Sequence, residues 1–120
     1  MDNARELIAY CLTMTGAYED FPFGNDVSVM KVKDKMFALV PHDADPPSIS
    51  LKCDPIEAQM LREMYEAITG GYHLNKKHWN TITLTGEVPN DRLREMIEDS
   101  YALVVQKLPK KQQLELASLD

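Results

Sequence analysis

Residues 27–41, VSVMKVKDKMFALVP, constrain this chain more than any other stretch. Two runs of β-favouring residues flank Lys33-Asp34, the pattern of a β-hairpin. A two-residue turn fits the spacing. Such turns want positive φ at both central positions, which neither lysine nor aspartate favours, so a longer loop also fits. With the tight turn, Met30, Val32, Phe37 and Leu39 share one face. Val27, Val29, Lys31, Met36, Ala38 and Val40 share the other. A third strand is predicted at 48–52, where Ile49 and Leu51 alternate with Ser48, Ser50 and Lys52. A fourth, NTITLT at 80–85, opposes Ile82 and Leu84 to Thr81, Thr83 and Thr85.

Helical periodicity fills most of the remainder. Residues 2–15 place Leu7, Ile8, Cys11, Leu12 and Thr15 on one side, and Gly16 is a stop signal. Residues 17–26 read as a loop with Phe21 and Phe23 over a core edge. Asp54 suits a cap, Pro55 a first turn, and Glu57 a capping box. The following stripe is Met60, Leu61, Met64, Tyr65 and Ile68, closed by Gly70-Gly71. A long helix over 90–107 turns Leu93, Met96, Ile97, Tyr101, Val104 and Val105 inward, and a short terminal helix follows Pro109. Strands joined by short turns argue for an antiparallel sheet, and strands polar on one face argue for helices on the other. The expected fold is α+β: a single domain over 1–120, a two-layer sandwich with an antiparallel sheet and helices on one face. The open face would carry Lys31, Ser48, Ser50, Lys52, Thr81, Thr83 and Thr85, together with Val27, Val29 and Val40.

Several functions are disfavoured. No run approaches the ~18 apolar residues of a membrane span, and the N-terminus lacks the basic and apolar regions of a signal peptide. Cys11 and Cys53 form no CxxC and no disulfide framework, which points to a reducing cytoplasm. His73 and His78 lack a third nearby metal ligand. Cys53 precedes a helix N-terminus but has no base beside it in sequence, although His42, His73 or His78 could approach in space. No phosphate-cradling glycine loop occurs. The pairs Glu19/Asp20, Asp43/Asp45 and Glu98/Asp99 read as solvated surface. No catalytic residue, metal or cofactor is therefore expected.

One segment stands apart. GYHLNKKHWNTI, residues 71–82, gathers two lysines, two histidines, two asparagines and the only tryptophan of a chain whose net charge is −6. That total disfavours sequence-blind adhesion to DNA. Segments 27–40 and 67–86 are nonetheless net basic, so a local patch can sit on an acidic body. Lys76 and Lys77 suit phosphates, His73, His78 and Trp79 offer flat faces, and Asn75 and Asn80 offer paired donors and acceptors. The same residues also suit a structural loop, with Tyr72 and Trp79 as anchors and the asparagines closing turns.

FPFG at 21–24, KVKDKMFAL at 31–39, SLKCDP at 50–55, GYHLNKKHWNTI and DSYALV at 99–104 resemble the MmcQ/YjbR family of small bacterial proteins, over nearly the whole chain. The resemblance implies a CyaY/frataxin-like fold. It also implies a proposed DNA-binding role through a double wing, with Tyr72, His73, Asn75, Lys76, Lys77, His78, Trp79 and Asn80 as corresponding positions and Lys31, Lys33 and Lys35 on a wing. The family pattern has glycine at the hairpin turn where this chain has Lys33-Asp34. Iron binding through surface carboxylates, the frataxin-like rival, lacks an acidic ridge on the first helix. The expected function is non-enzymatic DNA binding, with Lys52 joining the phosphate contacts, by a monomer or weak dimer with no membrane partner. The alternative is a module for a small anionic ligand or a protein partner on the same surface. A closed concavity under Trp79 would favour the ligand, and a flat basic ridge the DNA.

Overall fold

The computed structural model describes residues 1–71 and 74–119. The elements run α1 (Ala4–Cys11), β1 (Tyr18–Asp20), β2 (Val27–Val32), β3 (Lys35–Pro41), β4 (Ser48–Lys52), α2 (Pro55–Met64), β5 (Ile68–Gly70), β6 (Trp79–Thr83), α3 (Asn90–Gln106) and α4 (Lys110–Ala117). The strands form one antiparallel sheet in the order β1-β2-β3-β4-β6-β5. One core joins Leu7 and Cys11 of α1, Leu61 of α2, Leu93, Ile97 and Val104 of α3 and Leu116 of α4 to a single sheet face. That face presents Met30, Ala38, Val40, Ile49, Leu51, Ile68 and Ile82. Each such large apolar side chain contributes about 1.5–3 kcal/mol through removal from water. The protein is the expected α+β fold.

The hairpin turn is the tight one. Lys33 and Asp34 both take positive φ, 49° and 67°, the requirement of a type I′ turn. Its register departs from simple alternation. Lys31 pairs with Met36 but Met30 with Ala38, so Phe37 is a bulged extra residue. The bulge sends both Phe37 and Ala38 to the helix side, and Phe37 meets Tyr101 edge-on at 5.5 Å. Beyond it the alternation is reversed from the expectation. Val40 lies in the core, whereas Leu39 pairs with Val29 on the other face.

Two short strands were hidden in predicted non-strand segments. β1 lies within the expected aromatic loop, and β5 within the expected tail of the second helix. α2 stops at Met64 because Tyr65 turns extended (φ −127°, ψ 120°), which lets Ile68 pair with Ile82. The stripe of α2 is accordingly rotated. Ala58 and Leu61 are buried, while Met60 and Met64, expected inward, are 55% and 62% exposed. Asp54 does cap, accepting from the Ile56 and Glu57 amides.

Gly16 closes the α1–β1 connection at φ +73°, and a Cβ there would lie 2.5 Å from Leu116 Cδ2 of α4. Gly16→Ala is expected to destabilise the fold by about 1–2 kcal/mol, from the left-handed backbone and displacement of Leu116. Urea denaturation tests this, and an unchanged midpoint would contradict it.

Candidate nucleic-acid interface

The start of β3, the end of β4 and the start of β6 lie at one end of the antiparallel sheet, so the hairpin tip, Lys52 and the 74–79 loop come together there. The loop is built from its own backbone. The Asn75 carbonyl accepts from the His78 and Trp79 amides, and Asn75 Oδ1 accepts from the Lys77 amide at 2.9 Å. This is an asparagine closing its own turn. Gly71 and Trp79 are tied by a 2.9 Å amide–carbonyl bond, and the His78 carbonyl accepts from the Cys53 amide at 2.8 Å.

A partly buried clamp holds the loop to α2. Arg62 Nε donates to Asn80 Oδ1 at 2.8 Å, and its Nη2 donates to the Lys76 carbonyl. Asn80 Nδ2 donates to the Ala58 carbonyl at 3.2 Å. Asn80 is buried, pairing with Leu51 and Gly70 on the helix-facing side, so its amide faces protein.

The other sequence-selected residues differ in availability. Lys31 pairs with Asp20 at 2.8 Å, and this bond holds the Asp20 carboxyl below its usual range. Lys33 pairs with Glu115 at 3.1 Å. Lys76 folds back, its stem against Gly70 and its Nζ 3.3 Å from the Gly71 carbonyl. Lys77 is exposed and His78 half-buried, while Trp79 is almost wholly buried. Lys35 and Lys52 make no ion pair among the described residues. Tyr72 and His73 lie outside the described residues.

Lys35 and Lys52 face each other across a cleft. β3 and β4 pair at Ala38↔Leu51 and Leu39↔Ser50, and beyond this they part. The buried Ser100 of α3 spans the parting: its Oγ donates to the Phe37 carbonyl at 2.6 Å and accepts from the Lys52 amide at 2.9 Å. The cleft beside it, about 490 Å³, is flanked by Lys35, Lys52 and Lys107 and walled by Met36, Trp79 and Leu108. Asp34 also lines it, with Oδ1 accepting from the Tyr18 hydroxyl at 2.9 Å. Burial first, then the Lys107 and Lys35 charges, hold the Lys52 ammonium below its ordinary pKa. Lys107, absent from the sequence-based set, follows the last turn of α3. Fifty-odd residues separate it from Lys52, and only tertiary packing joins them.

A second cavity of about 240 Å³ lies between α2 and α3, with Leu51, Leu61, Ile82 and Met96 among its lining and Cys53, Glu57 and Asp99 beside them. Burial, then Glu57, Asp54 and Asp99, push the Cys53 thiol up to about 11, so it is protonated near neutral pH. Elsewhere, Ser28 Oγ lies 2.6 Å from His42 Nε2 and hydrogen-bonds the Glu19 carboxylate. A carboxylate only accepts, so Ser28 donates to Glu19 and accepts from a protonated Nε2. Held that way, His42 is not a base for Ser28. No group of three or more metal-ligating side chains converges among the described residues.

A family model described as YjbR matches residues 12–103. The uncharacterised protein YjbR of Escherichia coli K12 is 32% identical over 114 residues, which is 95% of this chain and 97% of that protein. The uncharacterised protein YbdF of Escherichia coli O157:H7 is 39% identical over 93 residues, 78% of this chain and 76% of that one. The crystal structure of Deinococcus radiodurans DR2400, family-model domain DUF419, is similar with a TM-score of 0.91 and 40% identity, covering 98% of this chain and 89% of that one. A Pseudomonas syringae crystal structure is similar with a TM-score of 0.72 and 29% identity, over 84% of this chain and 97% of that one. These matches span the fold just described, and the chain belongs to the YjbR family of uncharacterised proteins.

Proposed function

We propose that this protein is a non-enzymatic DNA-binding domain whose contact surface is the lysine-bearing end of the sheet. The observation that supports this reading is convergence. Cations from separate segments, Lys35 on the hairpin, Lys52 on β4, Lys77 in the loop and Lys107 after α3, reach one end of an otherwise acidic body, without carboxylate partners among the described residues. Phosphate contact supplies affinity and position in such an interface, and base contact supplies preference. The half-buried His78 is the candidate for the latter. Lys31 and Lys33 contribute less directly, since each must first leave a carboxylate.

Fluorescence anisotropy with labelled duplex and single-stranded DNA tests the reading. About four phosphate contacts predict an affinity loss of roughly 100-fold between ~50 and ~200 mM salt. Binding that ignores salt, or no binding at low salt, would sink it. The concave cleft beside Trp79 favours a second reading, a small anionic ligand on the same surface.

A further inference from the structure

We infer that the cleft between the parted ends of β3 and β4 is a phosphomonoester site, in which Lys35, Lys52 and Lys107 hold the phosphate dianion and the Met36–Trp79–Leu108 wall receives the body that carries it. The inference rests on the reading that this end of the sheet receives anions, and it names the chemistry of the occupant. Three arguments support it.

The first is charge. Three cations flank one cleft, and the carboxylate there, Asp34, is engaged by the Tyr18 hydroxyl. With Asp34 counted the cleft still carries net positive charge, and like charges so gathered repel. Lys52 carries most of the strain, being the part-buried member of the set. A dianion placed between the three would offset both the repulsion and the lost hydration. A phosphodiester carries only one charge at each phosphate, so a terminal monoester gains more.

The second is shape. About 490 Å³ exceeds what a phosphate needs and falls within the ~300–1,000 Å³ typical of small-molecule sites. Apolar surface, including that of the half-buried Met36, adjoins the cations and suits the body that carries the phosphate. A concavity of this kind admits the end of a strand more readily than the middle of a duplex.

The third is construction. Ser100 spans the parting of the strands with two hydrogen bonds to backbone, so the cleft has a fixed lip. The backbone of β3 at Phe37 and of β4 at Lys52 is therefore held in place before any ligand arrives.

Amide-resolved NMR titration tests the site, with inorganic phosphate, a mononucleotide, and oligonucleotides with and without a 5′-phosphate. Chloride at matched ionic strength is the control. Saturable shifts at residues 35, 36, 52, 79 and 107 are expected with phosphate and stronger ones with the mononucleotide. Lys52→Gln and Lys107→Gln should each weaken binding by about three- to fivefold, the typical worth of one exposed or half-exposed ion pair. Lys52→Gln should leave the melting temperature unchanged or raise it, since it removes an unpaired cation. Lys107 is exposed, so its variant reports on binding with little risk to the fold. Shifts no larger than with chloride, or affinities untouched by both variants, would overturn the inference. A 5′-phosphate preference in the oligonucleotides would assign the monoester to a nucleic-acid end. Phosphate and mononucleotide binding without oligonucleotide binding would assign it to a free metabolite, and would remove the DNA reading while leaving this one. Salt-sensitive DNA binding indifferent to a 5′-phosphate, with no saturable shifts from phosphate or the mononucleotide, would do the reverse.

Discussion

Asn80→Ala is expected to cost about 2–4 kcal/mol. Asn80 is buried on β6, and both ends of its amide are engaged: Oδ1 accepts from Arg62 and Nδ2 donates to the Ala58 carbonyl. Alanine leaves the half-buried Arg62 Nε–H without its acceptor, removes the side-chain bond to the Ala58 carbonyl, and opens a void behind them. A domain of this size unfolds as one unit, so urea titration reads the cost directly. The same variant separates two roles for an asparagine that base recognition could also use. If the amide only holds Arg62 and the loop, DNA affinity measured well below the melting temperature should change little. A loss below about 1 kcal/mol in stability would mean that the clamp is idle.

Ser100→Ala is expected to cost about 2–4 kcal/mol, although it removes a single oxygen. That oxygen serves the Phe37 carbonyl on β3 and the Lys52 amide on β4, where the ladder between the strands has ended. Removing it leaves two backbone groups unsatisfied in a buried setting, for which the full desolvation penalty applies. Hydrogen exchange gives the sharper reading, because the Lys52 amide should exchange far faster in the variant even where other strand amides keep their protection. A Lys52 amide as protected as in the parent, with stability within about 1 kcal/mol, would show that another group closes the gap.

Much of the fold is legible in the residues. The hairpin centre at Lys33-Asp34, the alternation of β4 and β6, the Asp54-Pro55 helix start and the inward stripe of α3 all follow from period and turn chemistry. What escaped has identifiable causes. β1 and β5 have three residues each, too few for alternation to register. The bulge at Phe37 carries no glycine signal, and its carbonyl is bound by a serine sixty-three residues away. The apolar residues of α2 form more than one possible stripe, and burial selected Ala58 and Leu61 over Met60 and Met64. Within the site, residue type identified Lys35 and Lys52. Residue type also marked Lys31, Lys33 and Asn80, for which the fold provides intramolecular partners. Arg62 lies on α2 and Lys107 just past α3, and the sequence pattern of those helices says nothing of what they approach.

The brevity of β1 and β5 has a consequence for how the molecule behaves in a crowded solution. They are the outermost strands, and an outer strand exposes unpaired amides and carbonyls on which another chain could add itself. Here each border offers only three residues, one ending in an aspartate that binds Lys31 and the other in a glycine. A template that short, interrupted by charge or by a residue of weak strand preference, gives an incoming strand little to grip. The borders of the sheet therefore do little to invite fibrous self-association.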